Sequence, residues 1–262
     1  MKKNFLLALL VLMVSCTSSE TPSAPLPNDE FSLPDGMFLT SLVDTYDGAV
    51  FHNLTYDSNG RVSMLNTKYE QNYTLQYSYN PVSVVSNSDE YGRIEIDVTQ
   101  NSDGLISGLS YVRDGEPISY GMKYNGKELV QLSFQKSDFS STTYLTWENG
   151  NIVRIMCIES DSNSWCVDFE YTEQSNTYSQ IIYPIKKILG YDFENGLLGF
   201  FLNGQLGVST KKLPNRSTSY EIGYEQYKSV RDIEYLLDSE GVILSEISDG
   251  DVSLRYNYST IK

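Results

Sequence analysis

Residues 54–65 read LTYDSNGRVSML, and that order spells a hairpin. Leu54 and Tyr56 alternate with Thr55, the period of a strand with one buried face. Asp57-Ser58-Asn59-Gly60 is turn chemistry, because glycine supplies the positive φ of a tight turn and Asp or Asn tolerates it. A second strand begins at Arg61-Val62. Variants recur at 122–132 (MKYNGKELVQL), 145–155 (LTWENGNIVRI) and 236–247 (LLDSEGVILSEI), with a weaker copy at 101–109 (NSDGLISGL). The turn glycines Gly60, Gly104, Gly126, Gly150 and Gly241 are 44, 22, 24 and 91 residues apart. Most of these intervals are close to multiples of one unit: two strands of about eight residues plus two turns, a repeated hairpin.

A second pattern closes the hairpins: Leu75-x-Tyr77-x-Tyr79, Ile94-x-Ile96-x-Val98, Val167-x-Phe169-x-Tyr171, Tyr220-x-Ile222-x-Tyr224 and Leu254-x-Tyr256-x-Tyr258. Gln76, Ser78, Asp168 and Glu170 stand between such residues, so one face is apolar and the other wet. The expected fold is all-β, an antiparallel meander of about twelve strands curled into a barrel or half-barrel to hide its apolar face and edges. Residues 181–214 break the pattern, and the run 197–202 (LLGFFL) holds no charged or polar side chain. A short helix or loop segment is expected near 192–202, with a helix that covers one end of the sheet favoured over a further hairpin echoing 147–150. Glycines and Asn203 interrupt this segment well short of a membrane span.

The chain opens MKKNFLLALLVLMVSC: two lysines, an apolar run of ten residues, then Ser15 and Cys16. That is an export signal, about half the length of a spanning helix. Residues 1–15 are read as a lipoprotein signal peptide, because 13–16 (MVSC) resembles the lipobox in which the following cysteine is lipidated. Several acyl chains on Cys16 give stable anchoring. Residues 17–30 (TSSETPSAPLPNDE) are too polar for a core and form, with Cys16, a flexible linker of about 20 Å mean reach. The expected address is the outer membrane, with its periplasmic or surface side undetermined. Residues 31–262 are read as one domain.

Without Lys2 and Lys3 the chain keeps 17 Lys+Arg against 34 Asp+Glu, a surface that repels phosphate backbones and argues against nucleic acid. Cys157 and Cys166 flank a polar turn. Pairing symmetric about Asp161 and Ser162 would set them face to face for a cross-strand disulfide, the alternative being two buried free thiols. Two thiols and one distant histidine do not close a zinc shell.

The run LLGFFLNGQLGVSTKKLP at 197–214, after the YDSNGRV and WENGNIVRI hairpins and behind a lipobox, resembles a family of Bacteroidetes lipoproteins of unknown function with a porin-like fold. The LLG followed by Ser209-x-Lys211-x-Leu213-Pro214 is its most particular mark. The resemblance covers about 46–258 and implies a large antiparallel sheet closing into a barrel or half-barrel. It implies no activity and no catalytic residue. A true pore is not expected, because tyrosine runs throughout the apolar face while a lipid-facing wall confines aromatics to its rims.

Catalysis finds few candidates. His52 stands alone in a strand, and Glu95 with Asp97, or Asp168 with Glu170, are ordinary acids of a wet sheet face. Asp57 with Asn59, Asp161 with Asn163, and Asp249 with Asp251 lack the spacing of a calcium loop. No enzyme, metal or cofactor is expected. The 21 Tyr and two Trp are the main hint of function. Trp147, Trp165, Tyr77, Tyr79 and Tyr171 are candidate binding aromatics for a glycan, peptide or envelope partner. A carrier of a lipid or other hydrophobic ligand in the concavity is the alternative; a carboxylate-dependent hydrolase ranks last.

Overall fold

The computed structural model describes residues 33–260 other than 35, 46–49, 69–71, 162 and 179–196. The expected signal peptide, Cys16, the linker and positions 192–196 of the expected helix lie outside them. The strands are β1 (Met37–Asp44), β2 (Val50–Tyr56), β3 (Val62–Lys68), β4 (Asn72–Tyr79), β5 (Val82–Ser88), β6 (Gly92–Gln100), β7 (Ile106–Arg113) and β8 (Glu116–Asn125). They continue as β9 (Glu128–Lys136), β10 (Phe139–Glu148), β11 (Asn151–Glu159), β12 (Trp165–Ser175), β13 (Lys212–Glu221), β14 (Ser229–Leu237), β15 (Ile243–Ser248) and β16 (Asp251–Thr260). Each pairs antiparallel with its neighbours in sequence, and β1 pairs with β16 from Met37↔Thr260 to Asp44↔Leu254. The meander is a closed barrel of sixteen strands, more than the twelve expected and with no free edge.

Along the strands the apolar side of the alternation points into the barrel, with 220–224 the exception. On β4, Tyr73, Leu75 and Tyr77 are buried while Asn72, Gln76 and Ser78 are exposed. The core is the lumen, lined by residues such as Leu65, Leu75, Ile106, Ile118 and Ile155. The outer wall carries Arg93 paired with Glu95, Arg154 with Asp168 and Arg216 with Asp232, at 2.9, 2.5 and 2.8 Å. Exposed pairs of this kind add at most about 1 kcal/mol each, so lumen packing dominates stability.

Two rims follow from the topology. Chain entry before β1 and the 57–61, 101–105, 126–127, 149–150 and 238–242 turns share the near rim; the 89–91, 114–115, 137–138, 160–164, 222–228 and 249–250 turns share the far rim. The repeated motif is a near-rim device. Asp57, Asn101 and Asp238 each accept the N–H groups two and four residues on through Oδ1: Asn59 and Arg61, Asp103 and Leu105, Glu240 and Val242. Gly60, Gly104 and Gly241 take φ near +75 to +85° in those turns. Asp57 and Asn59, weighed above for calcium, are part of a backbone-capping turn.

A short helix, α1 (Leu197–Leu202), lies in the segment that broke the strand pattern, and its six residues are buried. It ends in a Schellman motif: Gly204, φ +69°, donates to Phe201 O at 2.9 Å and Gln205 N donates to Phe200 O at 2.8 Å. Burying its three Leu and two Phe is worth roughly 1.5–3 kcal/mol per side chain, which holds a helix too short to stand alone.

The cysteine pairing is a correction. β11 and β12 pair Cys157 with Trp165 and Cys166 with Met156, one residue off the symmetric register. A one-residue offset puts the two thiols on opposite faces of the sheet. Both are free and buried.

Candidate functional site

The aromatics nominated from sequence are built into the barrel. At the near rim, aromatic side chains of even-numbered strands donate to backbone carbonyls on the preceding strand: Tyr56 to Leu39, Tyr79 to Val62, Tyr124 to Ile106, Trp147 to Leu129, Tyr171 to Ile152 and Tyr258 to Ile243. This ring of donors ties neighbouring strands beneath the turns. Burial pushes the Tyr56, Tyr79, Tyr124 and Tyr171 phenols well above their usual range. Tyr77 is buried, its ring edge-on to Phe200 at 5.4 Å and its hydroxyl accepting from Gly199 N at 3.3 Å. Trp165 is half-buried and donates Nε1 to Glu159 at 3.2 Å. Trp147, Trp165, Tyr77, Tyr79 and Tyr171 therefore do not form an exposed platform, and their hydrogen bonds are spent on the fold.

The segment 197–211 runs along the near rim from the β3 end to the β11 end. Asn203 accepts from Val62 N at 2.9 Å and donates to the Tyr79 hydroxyl. Gln205 O accepts from Ile106 N at 2.8 Å, Lys127 O from Val208 N at 3.0 Å and Gly150 O from Lys211 N at 3.0 Å. A Cβ on Gly207 would sit 2.2 Å from Lys127 O, and one on Gly199 would sit 2.3 Å from the Tyr77 ring. Side chains of α1 thus fill the lumen beneath this rim.

The acids weighed for catalysis lie apart. Glu95 and Asp97 are on the solvated outer wall, Asp168 is held by Arg154 and Tyr220, and Glu170 points to solvent. Glu246 is an acid of the lumen, 1% exposed, in register with Tyr235 and Leu254 and accepting from Ser253 Oγ at 3.3 Å. Among the described residues no three His, Cys, Asp or Glu are grouped to hold a metal. In the β register His52 stands opposite Leu42 and Thr67.

The far rim holds the surface that sequence reasoning missed. Tyr220-x-Ile222-x-Tyr224 was expected to share a buried face, yet β13 ends at Glu221 and residues 221–230 are all exposed. Tyr224 is 53% and Tyr227 76% exposed, with Ile222 and Val230 exposed beside them in sequence. The loop is nonetheless pinned. Ile222 N donates to Ser164 O at 2.9 Å, Tyr227 N to Tyr224 O at 2.9 Å, and Gly223 N to the Glu225 carboxylate at 3.0 Å. That backbone donor holds the Glu225 carboxyl below its usual range. Lys228 lies over the Tyr220 ring at 4.9 Å, and the hydrogen bond with the Cys166 thiol, then burial, pushes Tyr220 up to about 12. The signal in the sequence was Gly223: after it, Glu225-Gln226 interrupts the alternation.

The fold so defined is a closed antiparallel barrel with an apolar, partly plugged lumen and a polar outer wall. It is similar to solved porin-like proteins. One from Bacteroides uniformis superposes with a TM-score of 0.62 at 14% identity, covering 84% of this chain and 96% of that one. Another from Bacteroides vulgatus gives 0.55 at 11% identity, covering 85% and 98%. No protein-family model and no curated protein matches the chain.

Proposed function

We propose that this chain is a non-catalytic cell-envelope lipoprotein, related to the Bacteroidetes lipoproteins of porin-like fold, that presents a water-exposed barrel to a glycan, peptide or envelope partner. The observation that carries the reading is the exposed 221–230 stretch, held by backbone hydrogen bonds and presenting Tyr224 and Tyr227, on the rim opposite the point where the chain enters β1. A tether at Cys16 would leave that far rim facing away from the membrane. Strands of eight to ten residues tilted by about 40° add roughly 20–25 Å to the linker's reach.

The charged outer wall supports a barrel that stands in water, because a lipid-facing wall needs an apolar band where this one has Arg93, Glu95, Asp97 and Arg154. The carrier reading draws less support, since Phe200, Phe201, Leu197 and Leu198 occupy the lumen under the near rim.

Growth on an alkyne fatty acid followed by click labelling tests the anchor. The wild-type chain is expected to take the label and sediment with membranes, and Cys16→Ala to lose both. Membrane association of Cys16→Ala equal to wild type would overturn the tether. Panels of glycans and peptides presented to the lipidated chain in non-ionic detergent test the binding face. Ligands captured equally by wild type and by Tyr224→Ala/Tyr227→Ala would remove the far rim from the proposal.

A further inference from the structure

We propose that the far-rim loop 222–228 docks a lysine- or arginine-rich segment of a partner protein, an inference that rests on the barrel being a binding module. Charge on the surrounding rim chooses this partner class. Among the described residues, the other far-rim turns carry Asp89, Glu90, Asp114, Asp138, Asp161 and Asp249 and no lysine or arginine. Most bases at the adjoining strand ends are already engaged, Arg93 with Glu95 at 2.9 Å, Lys136 with Glu116 at 3.2 Å, Arg231 with Asp249 at 3.6 Å, and Arg113 over the Tyr91 ring at 5.1 Å, while Lys68 at the end of β3 is exposed. The far-rim turns on either side of the loop, 160–164 and 249–250, carry Asp161 and Asp249, and the loop itself carries Glu225, so its exposed aromatic and aliphatic side chains are flanked by acids. Aromatics bordered by charged groups are how protein-docking surfaces are built.

Tyrosine faces in this chain take cations. Arg61 sits over Tyr79 at 4.2 Å, Arg113 over Tyr91 at 5.1 Å and Lys228 over Tyr220 at 4.9 Å. Tyr224 and Tyr227 offer the same kind of face, and among the described residues no cation, ring or side-chain hydrogen bond occupies either. Their backbone is already fixed, so an incoming guanidinium or ammonium would meet a pre-organised surface and the ordering cost of docking would be small. Anionic partners meet a net charge of −15 and are repelled. A neutral glycan could stack on the rings but would leave the flanking acids unused, so the basic segment is favoured.

The test is fluorescence anisotropy of a fluorescein-labelled nonamer of arginine against the lipidated chain in non-ionic detergent, at 50 and 300 mM salt. Tyr224→Ala/Tyr227→Ala is expected to weaken binding about tenfold or more, with its urea melt unchanged because the loop lies outside the core. Neutralising three near-rim acids (Asp103→Asn, Glu148→Gln, Glu240→Gln) is expected to weaken it less than threefold. Equal losses in the two variants would mean unlocalised attraction to an acidic protein and overturn the proposal. Tyr-dependent capture of a neutral chitin oligosaccharide with no arginine-peptide binding would overturn it too, while leaving the binding-module reading in place. Indifference of both probes to the two tyrosines would sink both.

Discussion

Asn203→Ala is the sharpest probe of how residues 197–211 sit on the near rim. Asn203 is 9% exposed, and its Oδ1 accepts from Val62 N, a group of a residue with no exposed surface. Truncation leaves that N–H buried and unsatisfied, at a cost of about 1–3 kcal/mol, and removes the bond to the Tyr79 hydroxyl, worth about 1 kcal/mol more. The total, about 2–4 kcal/mol, divided by a urea slope of about 3 kcal/mol/M gives a midpoint lowered by about 1 M. Urea titration followed by Trp147 and Trp165 fluorescence reads this directly. Tyr79→Phe, which keeps the ring over which Arg61 stacks, is expected to cost about 1 kcal/mol. In that background Asn203→Ala is expected to cost less than alone, because the two share a bond. An Asn203→Ala midpoint within about 0.2 M of wild type would refute the argument that residues 197–211 are seated on the β3 end of the rim.

Three further outcomes follow from the same geometry. Gly199→Ala gains about 1 kcal/mol of helix propensity but drives a Cβ into the Tyr77 ring, so a net loss of about 1–2 kcal/mol is expected, relieved by Tyr77→Leu; a melt unchanged by Gly199→Ala would show that the ring yields freely. The buried phenols have folded values above the ordinary value of 10.0, so the folded state holds protons that the unfolded state releases as pH rises past that value. The stabilisation from these groups is therefore complete below pH 10 and falls above it, and the buried phenols' share of the tyrosinate absorbance should rise together with unfolding; ionisation of all the tyrosines in a still-folded barrel would contradict their burial. Ellman's reagent should find Cys157 and Cys166 slow to react in the native chain and fully reactive in guanidinium without reductant, whereas a pair that needs reductant would restore the disulfide.

The sequence was legible where chemistry is local. Glycine at positive φ and Asx caps mark Gly60, Gly104, Gly126, Gly150 and Gly241 as turns, and all five take that conformation. The charge-free run 197–202 marked the helix, since a segment apolar on every side must be buried whole. Closure was not legible: the β1–β16 pairing, from Met37↔Thr260 to Asp44↔Leu254, joins strands whose residues look like those of any other pair. Nor was the Cys157 register, because a turn of several polar residues admits two pairings one residue apart and the alternation is silent between them. The far-rim loop was hidden for a related reason. Tyr220 is the next-to-last residue of β13, and Ile222 and Tyr224 keep its period of two after the chain has left the sheet, so pattern alone assigns all three to a buried face.

Pairing between sequence neighbours with one closing seam has a kinetic meaning. Joining β1 directly to β16 would close a loop of more than 200 residues, about 5 kcal/mol of chain entropy against roughly 2.5 kcal/mol for a single hairpin. Zipping hairpin after hairpin brings the ends together first, so the seam should be the last contact to form. Until the ribosome has released Thr260, the growing sheet offers two unsatisfied edges to any strand nearby. A chain of this design is best kept from pairing until the last strand has been made.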